Sequence, residues 1–249
     1  MSVVYVLAHF DDEYCALPLL LARHRQGRRQ RLLFVADYPS ERVGRARFEE
    51  TRALLRWLGL ADDAAVHVGA GSGVRDGTVH RGLPDAWRAL RDALDGEAPE
   101  EIVTPAWEGG HADHDMCALL AVALQQSLPG RPLVRQFGLY NGAGLPGPVF
   151  RACTPLRQNG PAAVVPMTSA DWAQYAAAVR FYPSQAHVWS TLWPAMFARF
   201  AGHGFRWQAL EPRRVRERPH PGPLLYERTG RASYGEVRAC ADAFLRDLR

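Results

Sequence analysis

Lysine is absent from this 249-residue chain. All 30 of its cationic side chains are arginine, interspersed with 26 acidic residues, for a formal net charge of +4. Interleaved signs with so small an excess make no basic stripe, so nucleic acid is not expected as a partner. The densest basic run, Arg213-Arg214-Val215-Arg216-Glu217-Arg218, suits a solvated loop as well as a patch for an anionic substrate. Cysteine is sparse: Cys15, Cys117, Cys153 and Cys240 form no C-x-x-C pair, which excludes a zinc ribbon and a disulfide framework and leaves reduced, mostly buried thiols. No apolar run is long enough for a membrane span; the longest, Cys15 to Ala22 and Ala118 to Leu124, fit buried helices. A basic N-terminal region followed by an apolar stretch and a small-residue cleavage site is missing too, so a cytoplasmic address is expected. Internal repeats and low-complexity tracts are lacking.

With 47% hydrophobic and 22% charged residues, the composition is that of an ordinary soluble globular protein. Strand and helix signals alternate. Val3–Leu7, Arg31–Asp37, Ala65–Val68, Glu101–Trp107 and Val134–Tyr140 read as buried strands. Helical periods cover Tyr14–Arg25, Arg45–Leu58, Leu83–Leu94 and Asp113–Leu128. This order predicts an α/β, Rossmann-like fold with a mostly parallel sheet and helices on both faces. After a Gly/Pro-rich loop at 141–148, helices are expected over Thr168–Phe181, Thr191–Phe200 and Ser233–Leu248. No charged linker intervenes, so 1–249 is expected to form one domain, with its last third (about 141–249) as a substrate-side extension.

Ala8-His9-Phe10-Asp11-Asp12-Glu13 closes the first strand, and Gly109-Gly110-His111-Ala112-Asp113-His114 follows the fourth. Parallel strands ending at one sheet edge would bring these two clusters together, although about a hundred residues separate them. His9, Asp12 and His114 then offer three nitrogen and oxygen ligands, with water in the open position, the pattern of a catalytic zinc. Asp11 diverges from its neighbour and is available as general base. His111 would lie near the substrate carbonyl, stabilising an oxyanion or protonating the leaving amine as imidazolium, with Asp113 holding it charged.

These segments resemble the PIG-L or LmbE-like family of zinc-dependent N-acetylglucosaminyl deacetylases, whose signature is Ala-His-Pro-Asp-Asp-Glu followed later by His-x-Asp-His. The similarity covers residues 2 to about 125. It implies His9, Asp12 and His114 as zinc ligands, Asp11 as base, His111 on the oxyanion side and Asp113 as its partner. Phe10 stands where proline is usual and is expected to shape the entrance to the site and its substrate preference. Arg47, Glu50, Leu58 and Gly59 match a further family spacing, which implies that Arg47 contacts substrate hydroxyls or phosphate; an ordinary helix-surface arginine fits as well. The segment from His220 to Glu227 is similar to one in some members, and no role is carried over from it.

Other features have plainer readings. Gly69-Ala70-Gly71-Ser72-Gly73 fails as a dinucleotide fingerprint, because Val74 occupies the third glycine position and no helical pattern follows; a turn or rim loop is expected. Trp189, Trp193, Phe197 and Phe200 form a core stripe, or alternatively a sugar-stacking or dimer surface. Cys15 and Cys117 read as small hydrophobes, and His24, His67, His80, His187 and His203 as isolated histidines. The expectation is a zinc enzyme, with iron(II) also suited to the ligands, that removes acetyl from a small-molecule amino sugar or its conjugate. Two alternatives stay open: a deacylase of another amide, in antibiotic or thiol-cofactor synthesis, and a non-catalytic sugar- or nucleotide-binding protein. Neither the sugar nor the oligomeric state has a sequence signal.

Overall fold

Every residue of the first strand from Val3 to Leu7 is buried, alternately against two different hydrophobic clusters. Such a strand must lie inside a sheet covered on both faces. In the computed structural model, which describes residues 2–248, the first half runs β1 (Ser2–Leu7), α1 (Asp12–Cys15), α2 (Leu17–Arg25), β2 (Arg29–Phe34), α3 (Glu41–Trp57), β3 (Ala65–His67), α4 (Leu83–Leu94), β4 (Glu101–Pro105) and α5 (Ala112–Ser127). Then come β5 (Leu133–Phe137), the hairpin β6 (Tyr140–Asn141) and β7 (Arg151–Ala152), β8 (Ala162–Val165), α6 (Ser169–Ala178), α7 (Ala186–His203), β9 (Phe205–Ala209), α8 (Leu225–Arg228) and α9 (Tyr234–Asp247). The sheet order is β3-β2-β1-β4-β5-β9-β8. Its first five strands are parallel, and β9 is antiparallel to both neighbours. The order reverses between β1 and β4, where doubly wound sheets bind ligands.

Val3, Tyr5 and Leu7 face the core made with α2, α3, α6 and α7. Val4, Val6 and Ala8 face the core made with α4, α5 and α9. The chain after residue 140 adds β8 and β9 to the same sheet and α7 and α9 to its two faces. Among the described residues no helix is long and apolar enough to cross a membrane.

The helix expected over Arg45–Leu58 starts a turn earlier, at Glu41, and two others differ more from the sequence reading. The Tyr14–Arg25 segment is broken at Ala16 into a single turn and a longer helix. Pro18 has no N–H to give the Tyr14 carbonyl, so the second helix starts afresh with proline in its first turn. The expected Thr191–Phe200 helix instead spans Ala186–His203 and tolerates Pro194 inside it. Around α6 the fit is closer: Thr168 accepts from the Asp171 N–H, and the Asp171 carboxylate accepts from the Thr168 N–H, closing a capping box.

Candidate metal centre and active site

The turn after β1 is tightly determined. Asp12 Oδ2 accepts from the backbone N–H groups of Ala8 (2.9 Å) and His9 (3.0 Å), folding the carboxylate back under the end of the strand. Glu13 is fully buried; its Oε1 accepts from the Thr51 and Tyr182 hydroxyls, and its Oε2 from the Asp11 N–H. Between them Asp11 is held at φ 128°, a backbone region in which a side chain is strained.

The turn after β4 arrives beside it. His111 is the N-cap of α5, its Nδ1 accepting from the Asp113 N–H (3.2 Å), and His114 lies in the first turn of that helix. Gly110 is required here, because a Cβ on it would stand 1.9 Å from the Tyr140 carbonyl oxygen. Leu224 closes the other side, packed on Gly109, whose carbonyl accepts from the Leu225 N–H.

Three donor atoms converge. His114 Nε2 is 3.1 Å from Asp12 Oδ1 and 3.3 Å from His9 Nδ1, and His9 Nδ1 is 3.9 Å from Asp12 Oδ1. Ligands bound tetrahedrally at about 2.0–2.1 Å stand roughly 3.4 Å apart, so this triangle fits one zinc-sized ion. Asp12 keeps Oδ1 free for it, since Oδ2 is committed to the backbone. The other nitrogen of His9 lies 3.2 Å from Asp113 Oδ2 and 3.1 Å from Asp76 Oδ1, the carboxylate bracing usual for a metal-binding histidine. His9, Asp76, His111 and Asp113 also each bring a potential ligand atom within 4.8 Å of the others. Those donors are engaged mutually and with the Gly77 and Val79 N–H groups, so we read them as the layer that holds the first three.

Electrostatics separates the two adjacent aspartates. Burial pushes the Asp11 carboxyl up to about 8, against the pull of the Arg47 guanidinium 3.3 Å away. Burial opposes ionisation of Asp12 as well, but His114 and His9 outweigh it and hold Asp12 well below the usual carboxylate range. For His9 the burial penalty is outweighed by hydrogen bonds to Asp113, Asp12 and Asp76, and its pKa rises.

Three sequence expectations are corrected. Asp113 does not hold His111 charged: its oxygens accept from Gly77 and Val79 and face His9, while His111 Nδ1 is 3.9 Å away and takes a backbone N–H instead. Nor is His111 an imidazolium. Burial pushes it down to about 3, so the ring is neutral, and with Nδ1 accepting, its proton sits on Nε2. Phe10 is not at the entrance. It is wholly buried in a box of Phe34, Tyr38, Phe48 and His67, at centroid distances of 4.7–5.2 Å, and its N–H donates to the Tyr38 hydroxyl. Proline could not make that bond.

Arg47 is brought to the site: it is largely buried, lines the cavity, donates to the Phe10 carbonyl (2.7 Å) and lies over the Tyr38 ring. Asp76 and Tyr140 were not singled out from sequence, yet both line the same cavity of about 350 Å³. Asp76 reaches it because the 69–77 loop folds onto the end of β2, through a bridge between Asp37 and Arg75. Cys15 and Cys117 are buried among apolar groups, which pushes both thiols up.

A Rossmann-like sheet on whose switch point two histidines and a carboxylate converge, close enough together to hold one divalent ion, is the layout of an α/β enzyme. Residues 4–125, the part of the chain that carries both motifs, match the family described as PIG-L: GlcNAc-PI de-N-acetylase. No curated protein sequence matches it. Among solved structures, the zinc-inhibited form of teicoplanin deacetylase Orf2 is similar at TM-score 0.62 and 18% identity, over 85% of this chain and 98% of that one. N,N'-diacetylchitobiose deacetylase from Pyrococcus horikoshii is similar at TM-score 0.53 and 15% identity, over 84% and 83%. The fold is also shared by GalB, the 4-carboxy-2-hydroxymuconate hydratase of Pseudomonas putida KT2440, at TM-score 0.50 and 16% identity, over 84% and 95%. At such identities the likeness is one of fold, and chemistry must be argued from the site.

Proposed function

We propose that the protein hydrolyses the N-acetyl group of an amino-sugar conjugate, with zinc held by His9, Asp12 and His114. The observation that carries this reading is the convergence of those three donors at the floor of a cavity, with Asp11 beside them. Zinc bound there would supply Lewis-acid polarisation of the amide carbonyl and of the attacking water. Asp11, with a pKa raised toward neutrality, takes the proton of that water and can return it to the departing amine. Arg47 steadies the Asp11 carboxylate, and the Nε2–H of neutral His111 donates to the oxyanion that develops from the acetyl carbonyl oxygen. Asp113 and Asp76 fix the ring of His9. The family description and the deacetylase neighbours support the acetyl-amide substrate class, and the donor set supports zinc or another borderline cation such as iron(II).

Metal content and released amine test this together. Zinc-loaded wild type is expected to free amine from N-acetylglucosaminides. Asp11→Asn should retain metal while turnover falls by about 10²–10⁴, and His114→Ala should lose the metal. Full turnover by Asp11→Asn, or no amine from any conjugate with metal-loaded wild type, would overturn the reading.

A further inference from the structure

The cavity above the proposed metal centre is chemically divided along the chain. Its polar floor comes from residues 9–114, the groups described above. Its facing wall comes from residues 139–231 and is mostly apolar: Leu139, Phe150, Val188, Trp189, Leu192 and Leu225. Phe150 and Val188 are 37% and 43% exposed, so they are not serving the core. Apolar side chains kept open to solvent on the wall of a polar site mark where a ligand's apolar part is covered.

A second feature points the same way. Trp189 is 4% exposed, and its indole N–H finds no acceptor among the described residues. A buried donor without a partner is costly, and an acceptor carried in by a ligand would relieve it. Cations are scarce by comparison. The lining holds Arg47, already engaged by Asp11 and the Phe10 carbonyl, and Arg231 at the exposed rim. A diphosphate would find little to neutralise it there.

We infer that the substrate's conjugate group is apolar: an aromatic or alkyl aglycone that lies against α7 and the 148–150 segment while the N-acetylated sugar occupies the floor. This rests on the deacetylase reading for which end of the substrate reacts, but the wall's preference can be measured without turnover.

The test compares methyl, phenyl and octyl N-acetylglucosaminides and the uridine-diphosphate sugar on the zinc-loaded protein, as Kd by calorimetry and as kcat/KM where amine is released. Phenyl and octyl glycosides are expected to bind roughly ten- to a hundredfold more tightly than methyl, the range that added apolar contact gives in a pocket, and with a more negative heat-capacity change. Val188→Asp, and independently Phe150→Ser, should bring that ratio toward one; both positions are exposed, so folding should be spared. Equal affinities for methyl and phenyl glycosides, a nucleotide sugar that binds tightest, or a ratio that survives both substitutions would overturn the inference. A preserved ratio with no amine released would defeat the deacetylase reading and leave the aglycone site standing. Amine from every conjugate at a ratio of one would do the reverse.

Discussion

Glu108 tests whether burial or hydrogen bonding governs a carboxyl group next to the site. It is almost wholly buried; Oε1 accepts from the Leu139 and Tyr140 N–H groups and Oε2 from the Asn141 side-chain amide. Three donors favour the ion, yet burial outweighs them and pushes the pKa from 4.5 up to about 7. A folded-state pKa above the unfolded one means that the folded protein holds the proton more tightly. The contribution of Glu108 to stability is therefore greatest below about pH 4.5 and falls as pH rises to 7, by up to about 3 kcal/mol at 1.36 kcal/mol per pH unit. Glu108→Gln abolishes that slope. Its amide mimics the protonated acid but sets an NH₂ against the Asn141 NH₂, for a loss of about 1–3 kcal/mol at low pH. The variant should thus be the less stable protein at pH 4.5 and draw level with or pass wild type above pH 7. Denaturant midpoints between pH 4.5 and 8, with a chelator present so that metal binding does not add its own linkage, give the comparison. If the variant instead loses ground as pH rises, the three donors control the site and burial does not.

Phe10→Ala should empty the aromatic box at a loss of about 3–5 kcal/mol, a fall in Tm of roughly 6–20 °C for a chain of this size, with KM nearly unchanged. Unchanged Tm with an altered KM would return Phe10 to the entrance of the site. Asp113→Asn weakens the brace on His9 and should reduce metal affinity by about 10–100-fold, read by competition with a chromogenic chelator; equal affinity would show that Asp76 alone orients the ring.

The proposed metal ligands could be picked out because His9-Phe10-Asp11-Asp12 and His111-Ala112-Asp113-His114 are short, contiguous and placed at strand ends, so topology alone brings them to one edge. Asp76 had no such signal. It sits among glycines in a segment that reads as a turn, and the bridge that swings it over His9 joins residues 37 and 75. Phe10 was misplaced for a related reason: its box is assembled from residues 34, 38, 48 and 67, and nothing in the hexad tells which way its ring turns. The roles of His111 and Asp113 turned on a local detail. As N-cap, His111 takes the Asp113 N–H, which leaves the Asp113 carboxylate to the 77–79 loop and His9. The apolar wall was partly foreshadowed by the aromatic stripe at 189–200. Trp189 and Phe200 are buried, but only the α7 turn that begins before residue 191 carries Val188 to the cavity.

Asp11 occupies a backbone conformation that glycine would adopt without strain. Glycine there would relieve on the order of 1 kcal/mol or more and remove the carboxylate in the same step. Heat resistance and turnover are thus opposed at a single codon. Random variants of this protein sorted for thermal survival alone should be enriched in Asp11→Gly, a sturdier fold without the proposed base.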